Sequence, residues 1–324
     1  MAKFGYQILG FGAFTADKTL GPGTWSAASN SMNVGRSRAF MGGTTRDAVV
    51  IGMGRADPSN ATVTSIETWN GSATTESATS SFSYHSPASS GTGSSALIAG
   101  GANNSNAPQN DTQEWTGGDT MTNQSQTLGQ NTENGSACGP SANDCYYFGG
   151  YDGSNMIVNG EYWGGSSWST SGDRPNAPAP IYAAHTAGNS SSDCITTGGY
   201  YNASATSDTG SGAAFQAETW VFTGTWSASS DHPDIGEAML AGGMFGVGSA
   251  LATSQNGNDG TDGDTFNWDA TAWSVGGNHG NAQYASAGFN GGNGTGTGGL
   301  GGLWTGDYGA SDTTNDAAVY YFTR

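Results

Sequence analysis

The chain has 324 residues, 55 of them Gly, with 8 Lys or Arg against 26 Asp or Glu and a formal net charge of −18. So much Gly excludes a helical protein, because each interior Gly costs about 1 kcal/mol relative to Ala, while 10 Trp, 13 Tyr and 12 Phe supply too much large apolar surface for a disordered one. The acidity argues against nucleic acid and anionic membranes as partners, since both need clustered Lys and Arg.

Residues 1–20 form a predicted N-terminal extension. Phe4, Tyr6 and Ile8 alternate with Gly5 and Gln7, which predicts a strand with one apolar face. With Phe11 and Phe14 it is a candidate anchor that adds to a partner's sheet or groove. Its Gly interruptions make a poor signal-peptide core, and no apolar run in the chain approaches the ~18 residues of a membrane span. A strand around Trp25, in GTWSAASNSMNVGR, follows.

From there the chain repeats. Apolar strands meet Gly at AVVIGMG (Gly52), ALIAGG (Gly100, Gly101), CYYFGG (Gly149, Gly150), CITTGG (Gly198, Gly199) and GLGGLW (Gly301, Gly302). A lapsed copy, SALATSQN, carries Ser254 and Gln255 in place of the pair. Successive spacings are 48, 49, 49, 56 and 47 residues, near the ~50-residue period of one propeller type. Glycine suits such places because it allows positive φ or close backbone approach.

After each polar loop comes a Trp, mostly with an acidic neighbour: Glu67 with Trp69, Glu114 with Trp115, Glu161 with Trp163, Glu218 with Trp220, and then Trp268. A second Trp follows three of these (Trp168, Trp226, Trp273), 5 or 6 residues on, which predicts a hairpin. Each repeat then holds four antiparallel strands, one propeller blade, with the Trp side chains filling the wedge between blades. The C-terminal AAVYYFTR lacks a following partner, and the strand at Trp25 supplies it. The expected fold is therefore all-β: one six-bladed propeller over residues 21–324, its last blade closed by the N-terminal strand.

The Gly-pair strand, polar loop and acidic-x-Trp strand resemble kelch repeats over roughly residues 23–324. The phrasing of ETWNGS and of MNVGRSRAFMGGTTRDAVVIGMG is similar to kelch-like proteins encoded by tailed phages of marine bacteria, as is the opening KFGYQILGFG. That resemblance implies a non-enzymatic virion protein made in the host cytoplasm: a capsid decoration, knob or tail fibre on the virion surface. It would join other virion proteins through the N-terminal segment and touch a host glycan or protein. The alternative is an adhesion module outside any virion, with Trp and Tyr expected in loops, such as Trp304 and Tyr308, packing on sugar or partner. A kelch-type oxidase or glycosidase is the remote alternative.

The residues offer little chemistry. Kelch relatives include a copper oxidase that uses Tyr, Cys and two His. Here His85 and His185 lie 15 and 13 residues before their Gly pairs, which suggests similar strands in non-adjacent blades. No nucleophile elbow or phosphate loop is present. The four repeating Glu residues read as structure, because repetition around a ring does not build one cleft. Asp259, Asp262 and Asp264 form an acidic loop that could hold Ca²⁺, but it lacks the spacing and distal Glu of an EF-hand, which favours a solvated loop. No cofactor is expected. Cys138 and Cys145 flank a turn, where a cross-hairpin bridge and free thiols are the two options.

Overall fold

A computed structural model describes residues 24–45, 48–56, 61–169, 175–201, 214–215, 217–233, 250–253, 265–268, 271–275, 287–288, 301–308 and 315–323. The described residues are all strand, turn and loop, with no helix. They build five four-stranded antiparallel sheets, together with smaller ones. This arrangement is consistent with a β-propeller-like fold.

The first sheet runs Phe40–Thr45, Ala48–Gly52, Ser65–Trp69, Thr74–Thr79 in sequence order. The second runs Ala88–Thr92, Ser95–Ala99, Thr112–Trp115, Met121–Asn123, and the third Ser136–Ser141, Asp144–Phe148, Gly160–Trp163, Trp168–Ser169. The fourth repeats the plan with His185–Ser190, Asp193–Thr197, Thr219–Phe222 and Trp226–Ala228. A fifth shows three strands, Ala250–Thr253, Thr265–Trp268 and Trp273–Val275. A last sheet joins Ala287–Gly288, Gly301–Tyr308 and Asn315–Thr323 to Thr24–Ala27 from the other end of the chain. There Trp25 lies opposite Phe322.

The second strand of each of the first four sheets is buried almost throughout, from Val49 to Gly52, Ala96 to Ala99, Cys145 to Phe148 and Cys194 to Thr197. Both of its faces are covered, so apolar residues run on instead of alternating with polar ones. Cores form between consecutive sheets: Phe40, Val50 and Ile66 meet Ala96, Ile98 and Trp115. Leu97 and Ala99 meet Tyr147 and Trp163, and Tyr146 and Phe148 meet Cys194 and Phe222.

The glycine pairs lie just past the end of the second strand. Gly100 and Gly101 take φ of 66° and 103°, and Gly149 and Gly150 take 69° and 103°. A Cβ on Gly101 would stand 2.9 Å from the His85 carbonyl oxygen. The Gly101 amide instead donates to Thr132 O at 2.8 Å, and Gly54 and Gly150 repeat the contact to Tyr84 O (2.8 Å) and Ile181 O (2.7 Å). A backbone belt runs beside it. Ser86 N donates to Arg38 O, Asn134 N to Ser86 O and Ala183 N to Asn134 O, at 2.7, 3.0 and 2.9 Å. All four belt residues have positive φ, between 52° and 57°.

Pairing register corrects the repeat at several positions. Gly52 is the last residue of its strand, opposite Ile66, so the place of the pair falls to Met53 and Gly54. Gly301 and Gly302 open a strand rather than follow one, and Trp304 and Tyr308 lie in that strand rather than in a loop; Gly302 faces Phe322 as Ala96 faces Trp115. Phe222, not Trp220, sits between the second and fourth strands, facing Cys194 and Trp226, and is fully buried. It takes the place of Trp69, Trp115, Trp163 and Trp268, all buried, while Trp220 faces Thr196 and is half-buried. Cys138, Cys145 and Cys194 are buried and form no disulfide; Cys138 faces Tyr146 across the hairpin, not Cys145.

Candidate functional site

The extension with Phe4, Tyr6, Ile8, Phe11 and Phe14, and the loop with Asp259, Asp262 and Asp264, lie outside the described residues. Among the described residues no group of three His, Cys, Asp or Glu could hold a metal ion.

The acidic anchors divide by register. Glu67 faces Ile51 and Glu161 faces Tyr147 at the same position, while Glu114 faces Leu97 one place on and Glu218 precedes its strand. Glu67 forms an ion pair with Arg36, both fully buried, and accepts the amides of Asn33 (2.7 Å) and Val34 (3.2 Å). Arg36 also donates to Ser65 O at 2.8 Å. Glu161 accepts the Gly129 amide at 2.9 and 3.1 Å; burial raises its pKa and that amide opposes the rise. Gln113, facing Ile98 in the sheet between, accepts from Ser80 Oγ at 2.7 Å. These side chains tie the incoming loop to its sheet, and a buried carboxylate so satisfied is structural.

His85 and His185 do not share a position. His185 opens a strand opposite Thr197, whereas His85 precedes its strand and is bridged to Ala102. His85 is instead equivalent to Ser37, which faces Arg55, and to Glu133, bridged to Tyr151. Arg55 Nη2 donates to His85 Nε2 at 2.9 Å, and also bonds Asn106 Oδ1. A guanidinium has no acceptor, so Nε2 carries the lone pair and Nδ1–H is left to donate to Ser86 Oγ at 3.0 Å. Burial first, then Arg55 and Arg38, lower the His85 pKa to about 3.

Around this histidine the chain gathers charge. Arg36, Arg38 and Arg55 are the described cations of a protein with only 8 Lys and Arg. Arg38 acts electrostatically on Arg55, His85 and Glu133. Burial raises the Glu133 pKa, and both arginines oppose that rise. Beyond Glu133, Asn134 Nδ2 donates to Tyr182 OH at 2.9 Å, and Tyr182 meets Tyr151 edge-on at 6.0 Å between ring centroids. Sequence reasoning missed Arg38, Arg55 and Glu133. The signal that would have found them is departure from the repeat. Belt positions hold Arg38, Ser86, Asn134 and Ala183, and positions after the Gly pair hold Arg55, Ala102 and Tyr151.

No family model matches the chain, and no curated protein matches it.

Proposed function

We propose that this chain is a six-bladed kelch-type β-propeller, its last blade closed by the N-terminal strand, and that it is a non-enzymatic structural protein on a virion surface. Its place is a capsid decoration, knob or tail fibre, with residues 1–20 as the attachment to other virion proteins. The observation that carries the closed ring is the pairing of Thr24–Ala27 with Asn315–Thr323. A sheet assembled from both chain ends removes the exposed edges of an open array. The repeated positions support a scaffold role, because buried Trp, capping carboxylates and belt amides all hold one sheet to the next. The likeness of MNVGRSRAFMGGTTRDAVVIGMG to phage-encoded kelch-like proteins supports the virion. Immunogold electron microscopy of a phage lysate tests it: label on heads or tails supports the reading, and clean particles with label on cells or free protein overturn it.

The second reading is an adhesion module that binds carbohydrate or protein. The non-repeating cluster of Arg38, Arg55, His85 and Glu133 favours it, since the positions that hold the fold together do not need those side chains.

A further inference from the structure

The belt requires only a backbone with positive φ. Three of its four positions are Ser86, Asn134 and Ala183, each near φ 55°, and Ser86 and Asn134 accept the next belt amide through their carbonyls as Arg38 does. Arginine at that position is therefore not a requirement of the fold. Positive φ costs a residue with a Cβ about 1 kcal/mol or more, so Arg38 occupies a place where Gly would serve the backbone better. The same holds at Arg55, whose counterparts are Ala102 and Tyr151. Repetition in this protein marks structure, and two adjacent departures that both bring a guanidinium mark something else.

The electrostatics agree. Two half-buried guanidinium groups repel each other, and the repulsion adds to burial in lowering the Arg55 pKa. The one ion pair among the described residues is Arg36 with Glu67, so Arg38 has no ion-pair partner there. His85 is neutral above its pKa of about 3, and Glu133, its pKa raised by burial, supplies at most one negative charge, so the group is net positive in a chain of net charge −18. Guanidinium forks match a carboxylate bidentately. Beside them stand the amides of Asn106 and Asn134 and the Tyr151–Tyr182 pair, groups that bond hydroxyls and pack on an apolar ring face.

We infer that Arg38, Arg55 and the neighbouring Asn106, Asn134 and Tyr182 form a binding site for a carboxylated sugar, the guanidinium groups taking the carboxylate and the amides the hydroxyls. The inference deepens the adhesion reading and holds whether or not the chain belongs to a virion, so clean particles in the labelling experiment leave it standing.

The test is isothermal titration of the full chain with trigalacturonate, against its uncharged methyl ester. Trigalacturonate should bind at least tenfold tighter than the ester, and the preference should weaken as NaCl rises. Arg38→Gly suits the positive φ and should keep the thermal midpoint while losing at least tenfold in affinity. Arg55→Gln should lose a similar factor. Equal binding of acid and ester, no binding of either, or wild-type affinity in Arg38→Gly would each overturn the site.

Discussion

The indole Nε1 of Trp168 donates to Thr112 Oγ1 at 2.8 Å, from the third sheet into the second. Trp273 repeats this to Thr219 Oγ1 at 3.0 Å, from the fifth sheet into the fourth. Thr112 and Thr219 share a register position, opposite Ala99 and Thr197. Between the third and fourth sheets that position is Gly160, opposite Phe148, with no hydroxyl to offer. The phenol of Tyr146 takes over, accepting Trp226 Nε1 at 3.2 Å while donating to Pro175 O at 2.6 Å. A hydrogen bond between neighbouring sheets is thus kept while its acceptor changes residue type.

Removing that bond without its packing should cost about 1 kcal/mol. Urea denaturation of Thr112→Val and of a Trp168 variant with the indole nitrogen replaced by carbon should each show this loss. The double variant should lose much less than the sum, because both changes delete one bond. Full additivity would mean that the two residues do not act as a pair.

Glycine changes should have opposite signs at the two kinds of positive-φ site. Gly101→Ala should lose about 1–2 kcal/mol or more, since strain adds to the approach of a Cβ to His85 O. Ala183→Gly, at φ 57°, should be neutral or gain up to about 1 kcal/mol. Thermal midpoints of the two variants, moving in opposite directions or with only the first falling, are the check.

The pH dependence carries a signature of His85. Its folded pKa of about 3 lies below the ordinary histidine value of 6.5, so the unfolded chain binds more protons between the two. Its contribution to stability is present above 6.5 and is lost as pH falls toward 3. Glu133 and Glu161 act in the opposite sense, because their raised pKa values make their contribution fade as pH rises above 4.5. The difference between wild type and His85→Gln isolates the histidine. Wild type should lose more stability than the variant between pH 7 and pH 4, followed by denaturant unfolding at each pH. Equal losses would mean that His85 stays solvated.

Deleting residues 2–27 should free the edge of Asn315–Thr323, which Thr24–Ala27 covers. An uncovered edge is a template for another strand. Size-exclusion chromatography should show self-association, together with a lower midpoint. Deleting only residues 2–20 should leave both unchanged and, if the proposed virion role holds, abolish incorporation into particles.

The period was legible because Gly100, Gly149 and Gly198 recur at the same place after their strands, 49 residues apart, with Trp115 and Trp163 following. Register was not. Trp220 and Phe222 are equally large and apolar on paper, and only the pairing of Cys194 with Phe222 decides which fills the wedge. The same limit hid the difference between Glu114 and Glu161, which look alike beside a Trp but face opposite sides of their strands. Arg38 and Arg55 escaped for a different reason: a search for recurrence discards whatever occurs once.

The belt from Ala183 through Asn134 and Ser86 to Arg38 has a direction. Ser86, Asn134 and Ala183 each give an N–H to the carbonyl of the repeat before. Removing one whole repeat, or copying one, would leave each remaining donor beside an acceptor of the same geometry. Such a chain can change its number of repeats through duplication or loss of a gene segment without inventing a new junction, and each copy is then free to replace side chains such as Arg38 that the junction never used.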